Sequence, residues 1–161
     1  MLFSPIPFGP ITLRNRSIRA AAFEGMCFNH NVSDQLIQYH EAVAAGGVGM
    51  TTVAYAAVTK SGLSFPHQLW LREEIVPELR KLTDAVHSHN AKASIQIGHC
   101  GNMAKHEVIG ERPIAPSARI NMYAPSFPRA MTKQDIVAMA KSFGDAVRIA
   151  QNAGFDAVEV H

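Results

Sequence analysis

Gly154-Phe155-Asp156-Ala157-Val158-Glu159-Val160-His161, the last eight residues, decide how this chain is read. Gly154 closes a helical run, and Phe155 to Val160 reads as a short strand. His161 stands where that strand opens onto a loop. In an α/β barrel the catalytic groups collect at the carboxyl ends of the strands. A histidine there is a candidate active-site group. On spacing alone it is also simply a polar residue at a chain end.

The preceding elements prepare that strand. Thr132 followed by Asp135 has the form of a capping box, and the spacing predicts a helix from there to about Asn152. Lys92–Ile97 reads as a third strand. Val76–His87 reads as a second helix with Leu79, Leu82, Ala85 and Val86 on one face; Pro77 is tolerated only in its first turn. Val48–Val53 is a second strand, apolar on both faces. Ser33 is an N-cap candidate. Leu36, Ile37, Tyr39, His40, Val43 and Ala44 then recur at helical spacing until Gly46-Gly47. Ser17–Ala22 is a first strand candidate. Phe3–Arg16, punctuated by Pro5, Pro7, Gly9 and Pro10, predicts a small hairpin. Between the third strand and the last helix lies a long loop, Gly98–Met131, rich in Gly, Pro, Asn and Ser. Loops of that length inside compact domains usually serve function.

The order is a hairpin, βα three times, then β. Such alternation, with strands apolar on both faces, predicts a parallel sheet covered by helices. No GxGxxG follows the first strand, which runs Arg19-Ala20-Ala21-Ala22-Phe23-Glu24-Gly25, and no P-loop occurs. Both absences weigh against a dinucleotide-binding sheet. A TIM (β/α)8 barrel needs about 250 residues. The 161 residues here predict the first half of one, a single unit over 1–161 that stops at the end of the fourth strand.

Composition narrows the class. Hydrophobic residues make up 47% and charged residues 17%, usual for a globular domain with buried strands. A net charge of +2 and the lack of a basic, aromatic-interleaved cluster argue against nucleic acid. No apolar run approaches the roughly 20 residues of a spanning helix, and the start lacks a signal-peptide pattern. Cys27 and Cys100 do not form a disulfide framework. A cytoplasmic location is expected.

Several segments resemble the Old Yellow Enzyme family of flavin oxidoreductases. Leu2-Phe3-Ser4-Pro5-Ile6 with Thr12-Leu13-Arg14-Asn15-Arg16 is similar to its opening hairpin. Gly46-Gly47-Val48-Gly49-Met50, Leu82-Thr83-Asp84-Ala85-Val86-His87, Ile95-Gln96-Ile97-Gly98-His99-Cys100-Gly101 and Ile114-Ala115-Pro116-Ser117 follow in the family's order. Ala153 to His161 completes the series. The resemblance covers the whole chain and implies an FMN-binding TIM barrel of roughly twice this length. It implies hydride transfer from NADH or NADPH, through FMN, to an electron-poor alkene. His161 then matches the first member of a His-x-x-His or His-x-x-Asn pair that holds the substrate's carbonyl oxygen. The second member, and a proton-donating tyrosine, would lie beyond it. Gln96 matches the glutamine that hydrogen-bonds the flavin's pyrimidine edge. Ala21, Ala22 and Phe23, with Ala54 and Tyr55, match the segments that border the flavin. Phe23 departs from the small polar Thr or Cys usual in the family and cannot donate a hydrogen bond to the flavin.

The same residues carry plainer readings. Gln96 could bond a neighbouring backbone group instead of a flavin. Glu24 is either a pocket group or a solvated loop acid. Arg19, out of place in an apolar strand, is read as pointing into the barrel and pairing either with an acid or with flavin. His99, Cys100 and His106 lack the ligand spacing of a zinc site, so no metal is expected. Two other functions remain on sequence alone: a non-flavin TIM-barrel lyase or aldolase, and a non-enzymatic fragment or scaffold. The partner expected is a small activated alkene, and a homo-oligomer is compatible with the sequence.

Overall fold

A computed structural model describes residues 1–123 and 125–161. The amino-terminal hairpin forms as expected: β1 (Ile6–Phe8) pairs antiparallel with β2 (Ile11–Leu13). The chain then enters a four-stranded parallel sheet, β3 (Ile18–Arg19), β4 (Met50–Ala57), β5 (Lys92–Gly98) and β8 (Ala157–Val160), in that spatial order. Helices α1 (Asp34–Ala45), α2 (Val76–Ser88) and α4 (Lys133–Asn152) connect successive strands. This βα repetition with all strands parallel is the first half of the expected barrel.

The caps read from the sequence are present. Ser33 Oγ accepts the Leu36 N–H at 3.1 Å. Thr132 and Asp135 form a reciprocal box, Asp135 N–H to Thr132 Oγ1 at 3.2 Å and Thr132 N–H to Asp135 Oδ2 at 2.7 Å. Each satisfies amide donors that a helix start leaves unpaired. Pro77 sits in the first turn of α2.

The strand bounds differ from expectation: the third runs one residue on to Gly98, the fourth begins at Ala157 rather than Phe155, and the first two differ more. The first pairs only at Ile18 and Arg19 rather than over Ser17–Ala22, and beyond that point the β4 groups Thr52 O and Ala54 N–H are taken by the side chains of Arg19 and Glu24. The second starts and ends later than Val48–Val53 and carries a register shift between Val53 and Ala56. Such a bulge re-aims side chains and is common beside active sites. The loop 98–131 is also less irregular than expected. It contains the short helix α3 (His106–Ile109) and the strand pair β6 (Ile114–Ala115) and β7 (Arg129–Ala130).

The sheet's two faces do different work. The helix-facing side carries Val53, Ala93, Ile95, Ile97 and the half-buried Val158, packed with Leu36, Leu79, Leu82, Val86 and Ile149 in one core. The other side is not uniformly apolar, as had been expected. Thr52 and Ser94 hydroxyls bond at 2.6 Å across β4 and β5, and Gln96 meets Glu159 across β5 and β8. A cavity of about 410 Å³ opens over this face, lined by Phe8, Ile18, Met50, Thr52, Ser94 and Glu159 among others.

At the amino ends of the strands the hairpin is locked by Arg14 and Asn15. Arg14 donates to the carbonyls of Val48 at 3.0 Å, His89 at 2.6 Å and Ala44 at 2.6 Å. Asn15 Nδ2 donates to Gly47 O at 2.7 Å. The Leu13-Arg14-Asn15 stretch is thus a tie between the hairpin and two βα units. That face of a barrel serves stability rather than chemistry.

Candidate active site

At the opposite ends of the strands two of the expected site residues, Tyr55 and His161, line one cleft, while Ala21, Ala22, Phe23, Ala54 and Gln96 are not in its lining. A cleft of about 360 Å³ is lined by Tyr55, Ser64, Gly98, His99, Cys100, Met103 and His161. These come from the ends of β4, β5 and β8 and the loops that follow. Strand β8 is still paired where His161 begins, since His161 N–H donates to Ile97 O at 2.9 Å. Gly98 makes room for that arrangement: a Cβ there would lie 3.3 Å from His161 O.

Gln96 lies one layer deeper and is only 9% exposed. Its Nε2 donates to Glu159 Oε1 at 2.7 Å. The protein partner is therefore a side chain on the next strand rather than a neighbouring backbone group. With the amide nitrogen engaged, the Gln96 carbonyl oxygen has no protein partner among the described residues. An acceptor left open on the inner wall suits an imide N–H such as a flavin's pyrimidine edge presents.

Ala54 is buried and Tyr55 half-buried at the end of β4. Tyr55 Oη and Ser64 Oγ lie 2.6 Å apart. Burial pushes the Tyr55 phenol above its usual range, against the lowering effect of Ser64. Ala21 is half-buried, while Ala22 and Phe23 are exposed. Phe23 stacks on Phe65, ring centroids 4.6 Å apart, and meets Tyr55 at 6.0 Å. Phe23 and Phe65 thus form an aromatic pair beside Tyr55. Spacing gave no signal for Phe65 or Ser64.

His99 is held rather than free. Its Nδ1 accepts the Gly101 N–H at 3.0 Å, which puts the ring proton on Nε2, 3.2 Å from Ser61 Oγ. Burial lowers its proton affinity, so the neutral ring is favoured. Burial also pushes the Cys100 thiol up, so the cleft thiol is not a thiolate at neutral pH.

Arg19 pairs with an acid, one of its two expected partners, and that acid is Glu24, whose role neither of its own readings foresaw. The Glu24 carboxylate is only 4% exposed and accepts Arg19 Nη1 at 2.7 Å. His40 Nε2, on α1 and fully buried, lies 3.3 Å from the same oxygen. His40 Nδ1 and Thr51 Oγ1 are 2.8 Å apart. Arg19 turns away from the barrel interior toward α1, and Glu24 is a buried ion-pair partner, not a solvated acid.

A half-barrel with a histidine-bearing cleft at its strand ends defines the class, an α/β barrel enzyme. Within it, the chain belongs to the NADH:flavin oxidoreductase / NADH oxidase family, which it matches over residues 1–161. It is 43% identical to 4,4'-dithiodibutanoate disulfide reductase of Rhodococcus erythropolis over 160 residues, 99% of this chain and 40% of that protein. It is 37% identical to NADH:acrylate oxidoreductase of Vibrio harveyi, over 94% of this chain and 15% of that protein. The structure of the old yellow enzyme homologue from Zymomonas mobilis superimposes with a TM-score of 0.89 at 27% identity, covering 99% of this chain and 48% of that one. The chain therefore spans less than half the length of each of these relatives. Among the described residues no helix is long and apolar enough to cross a membrane.

Proposed function

We propose that this chain forms the amino-terminal half of an FMN-dependent NAD(P)H oxidoreductase of the ene-reductase type, acting in the cytoplasm on small electron-poor alkenes. The observation that carries the reading is the joint placement of Gln96 and His161. Gln96 offers an open acceptor on the inner wall, and His161 lines the cleft at the strand ends above it. Gln96 would hold the flavin's pyrimidine edge, with Ala21, Ala22, Phe23, Ala54, Tyr55 and His161 bordering the ring. The bound flavin would supply hydride chemistry, taking electrons from NADH or NADPH. The chain's own residues orient and stabilise. His161 donates to the substrate carbonyl oxygen as negative charge develops there, and a preorganised donor of this kind lowers the barrier. The Phe23–Phe65 stack would cover the side of the site next to Tyr55.

The remaining strands of the barrel would cover the open inner face and complete the phosphate grip, which lies in late barrel loops. The 161-residue chain alone is accordingly expected to bind FMN weakly or not at all. A disulfide is the rival acceptor, because the Rhodococcus relative is named for one.

The full-length protein that carries this chain tests the reading. It should purify yellow with one FMN, bleach on anaerobic addition of NADH or NADPH, and recover its colour with acrylate. Recovery with 4,4'-dithiodibutanoate but not with acrylate would assign the disulfide instead. A colourless protein that takes up no FMN on titration would refute the flavoenzyme reading. A 161-residue chain holding stoichiometric FMN would refute the need for the second half.

A further inference from the structure

The cleft lining contains several polar groups, but few have a proton to spare. His99 gives its ring N–H toward Ser61 and accepts from Gly101. Ser64 is fixed from behind: its own N–H donates to Oε1 of Gln68 at 2.7 Å, and Gln68 is 1% exposed. The Ser64 hydroxyl lies 2.6 Å from Tyr55 Oη. Either oxygen can donate in that bond; when Ser64 does, the phenolic proton of Tyr55 is free for a ligand in the cleft. Tyr55 is carried by the β4 bulge and braced by the Phe23 ring at 6.0 Å. Cys100 contributes only a weak S–H donor. Two good donors remain in the lining, Tyr55 and His161, and no lining side chain is acidic.

We infer that Tyr55, oriented by Ser64, is a second hydrogen-bond donor for the substrate and selects acceptors that carry a carboxylate. The inference rests on the reading that this cleft is the substrate site, and adds to it a residue and a substrate class. A cleft with two convergent donors and no acidic side chain favours an oxygen anion over a cation or a plain hydrocarbon. A volume of about 360 Å³ suits a small acid.

The test uses the FMN-loaded full-length protein and propionate, the saturated and unreactive counterpart of acrylate. Affinity is read by calorimetric titration and by the shift of the flavin's visible band. Tyr55→Phe should weaken propionate binding at least about 10-fold, the usual scale for a hydrogen bond to a charged group. Ser64→Ala, which leaves the phenol in place but unoriented, should weaken it by a smaller factor, and Ser64→Thr should restore it. Thermal unfolding of each variant reports whether it folds. If Tyr55→Phe loses FMN, the Ser64 pair decides alone. Propionate affinity unchanged in both Tyr55→Phe and Ser64→Ala would overturn the inference while leaving the flavoenzyme reading intact. A full-length protein that takes up no FMN would overturn both.

Discussion

Glu24 accepts the backbone N–H of Ala54 through Oε2 at 3.0 Å. One carboxylate thereby joins the loop after β3 to the end of β4, the two segments expected to border the flavin. The same carboxylate neutralises Arg19 at 2.7 Å and faces buried His40 at 3.3 Å. Arg19 also lies over the Tyr39 ring, 5.3 Å from its centroid. The position of Phe23 beside Tyr55 follows, since its neighbour in sequence is anchored in the protein.

Glu24→Ala should destabilise the fold by about 3–5 kcal/mol, because it leaves the Arg19 charge buried without its partner. Removing both charges in an Arg19→Leu, Glu24→Leu variant should cost less than Glu24→Ala alone. Urea unfolding of the three proteins checks this. A double variant less stable than Glu24→Ala would mean that the ion pair is not what holds the loop.

Asp156 contributes to the acid limit of stability. Burial raises its carboxyl, but Lys92 at 2.7 Å, the Ala93 N–H at 2.9 Å and His87 at 2.7 Å outweigh burial and hold it below the usual carboxylate range. A folded pKa below the unfolded one contributes stability that is present above about pH 4 and lost as pH falls through the folded value. Asp156→Asn should cost about 1–3 kcal/mol at neutral pH and flatten the acid limb. Thermal midpoints of both proteins between pH 2.5 and 7 provide the comparison. Parallel curves would show that Asp156 is not the titrating group.

What could be read ahead was local. Ser33 and the Thr132–Asp135 box act within three residues, so their chemistry is visible in spacing. The βα order was likewise legible, since helical and strand runs alternate. Strand ends were not: β3 shrinks to Ile18 and Arg19 because pairing is decided by the neighbouring strand. The Arg19, Glu24 and His40 cluster has no spacing signature, and Gln96 finds Glu159 at a separation of 63 residues. Of the site, His161, Gln96 and Tyr55 were named from resemblance. Ser64 and Phe65 were missed because a loop, not a periodic element, delivers them.

Both thiols should be inert in the native protein. Burial, with Glu24 adding to it, pushes Cys27 up to about 12, which leaves about one thiolate in 10⁴ at pH 8. Cys100 is raised by its own burial. Ellman's reagent at pH 8 should therefore find fewer than one fast thiol per native chain and two after denaturation. A fast native Cys100 would indicate an open cleft floor.

Gly49 is required by close approach rather than by backbone dihedral. A Cβ there would lie 2.6 Å from Asn15 O, 2.9 Å from Asn15 Oδ1 and 2.9 Å from Ser17 O. Two of those atoms are backbone, and Asn15 is itself fixed by Gly47 O at 2.7 Å and by the Ser17 N–H and hydroxyl. Nothing in that set yields cheaply, so Gly49→Ala must push β3 away from β4. The cost should be at least the 1–3 kcal/mol or so typical of overpacking. Gly144→Ala is the control, since no atom lies within 4 Å of its added Cβ, and exchange of Gly for Ala in a helix is favourable by up to about 1 kcal/mol. Chemical unfolding should move the two variants in opposite directions. A Gly49→Ala protein as stable as the parent would show that the hairpin and sheet can separate without loss.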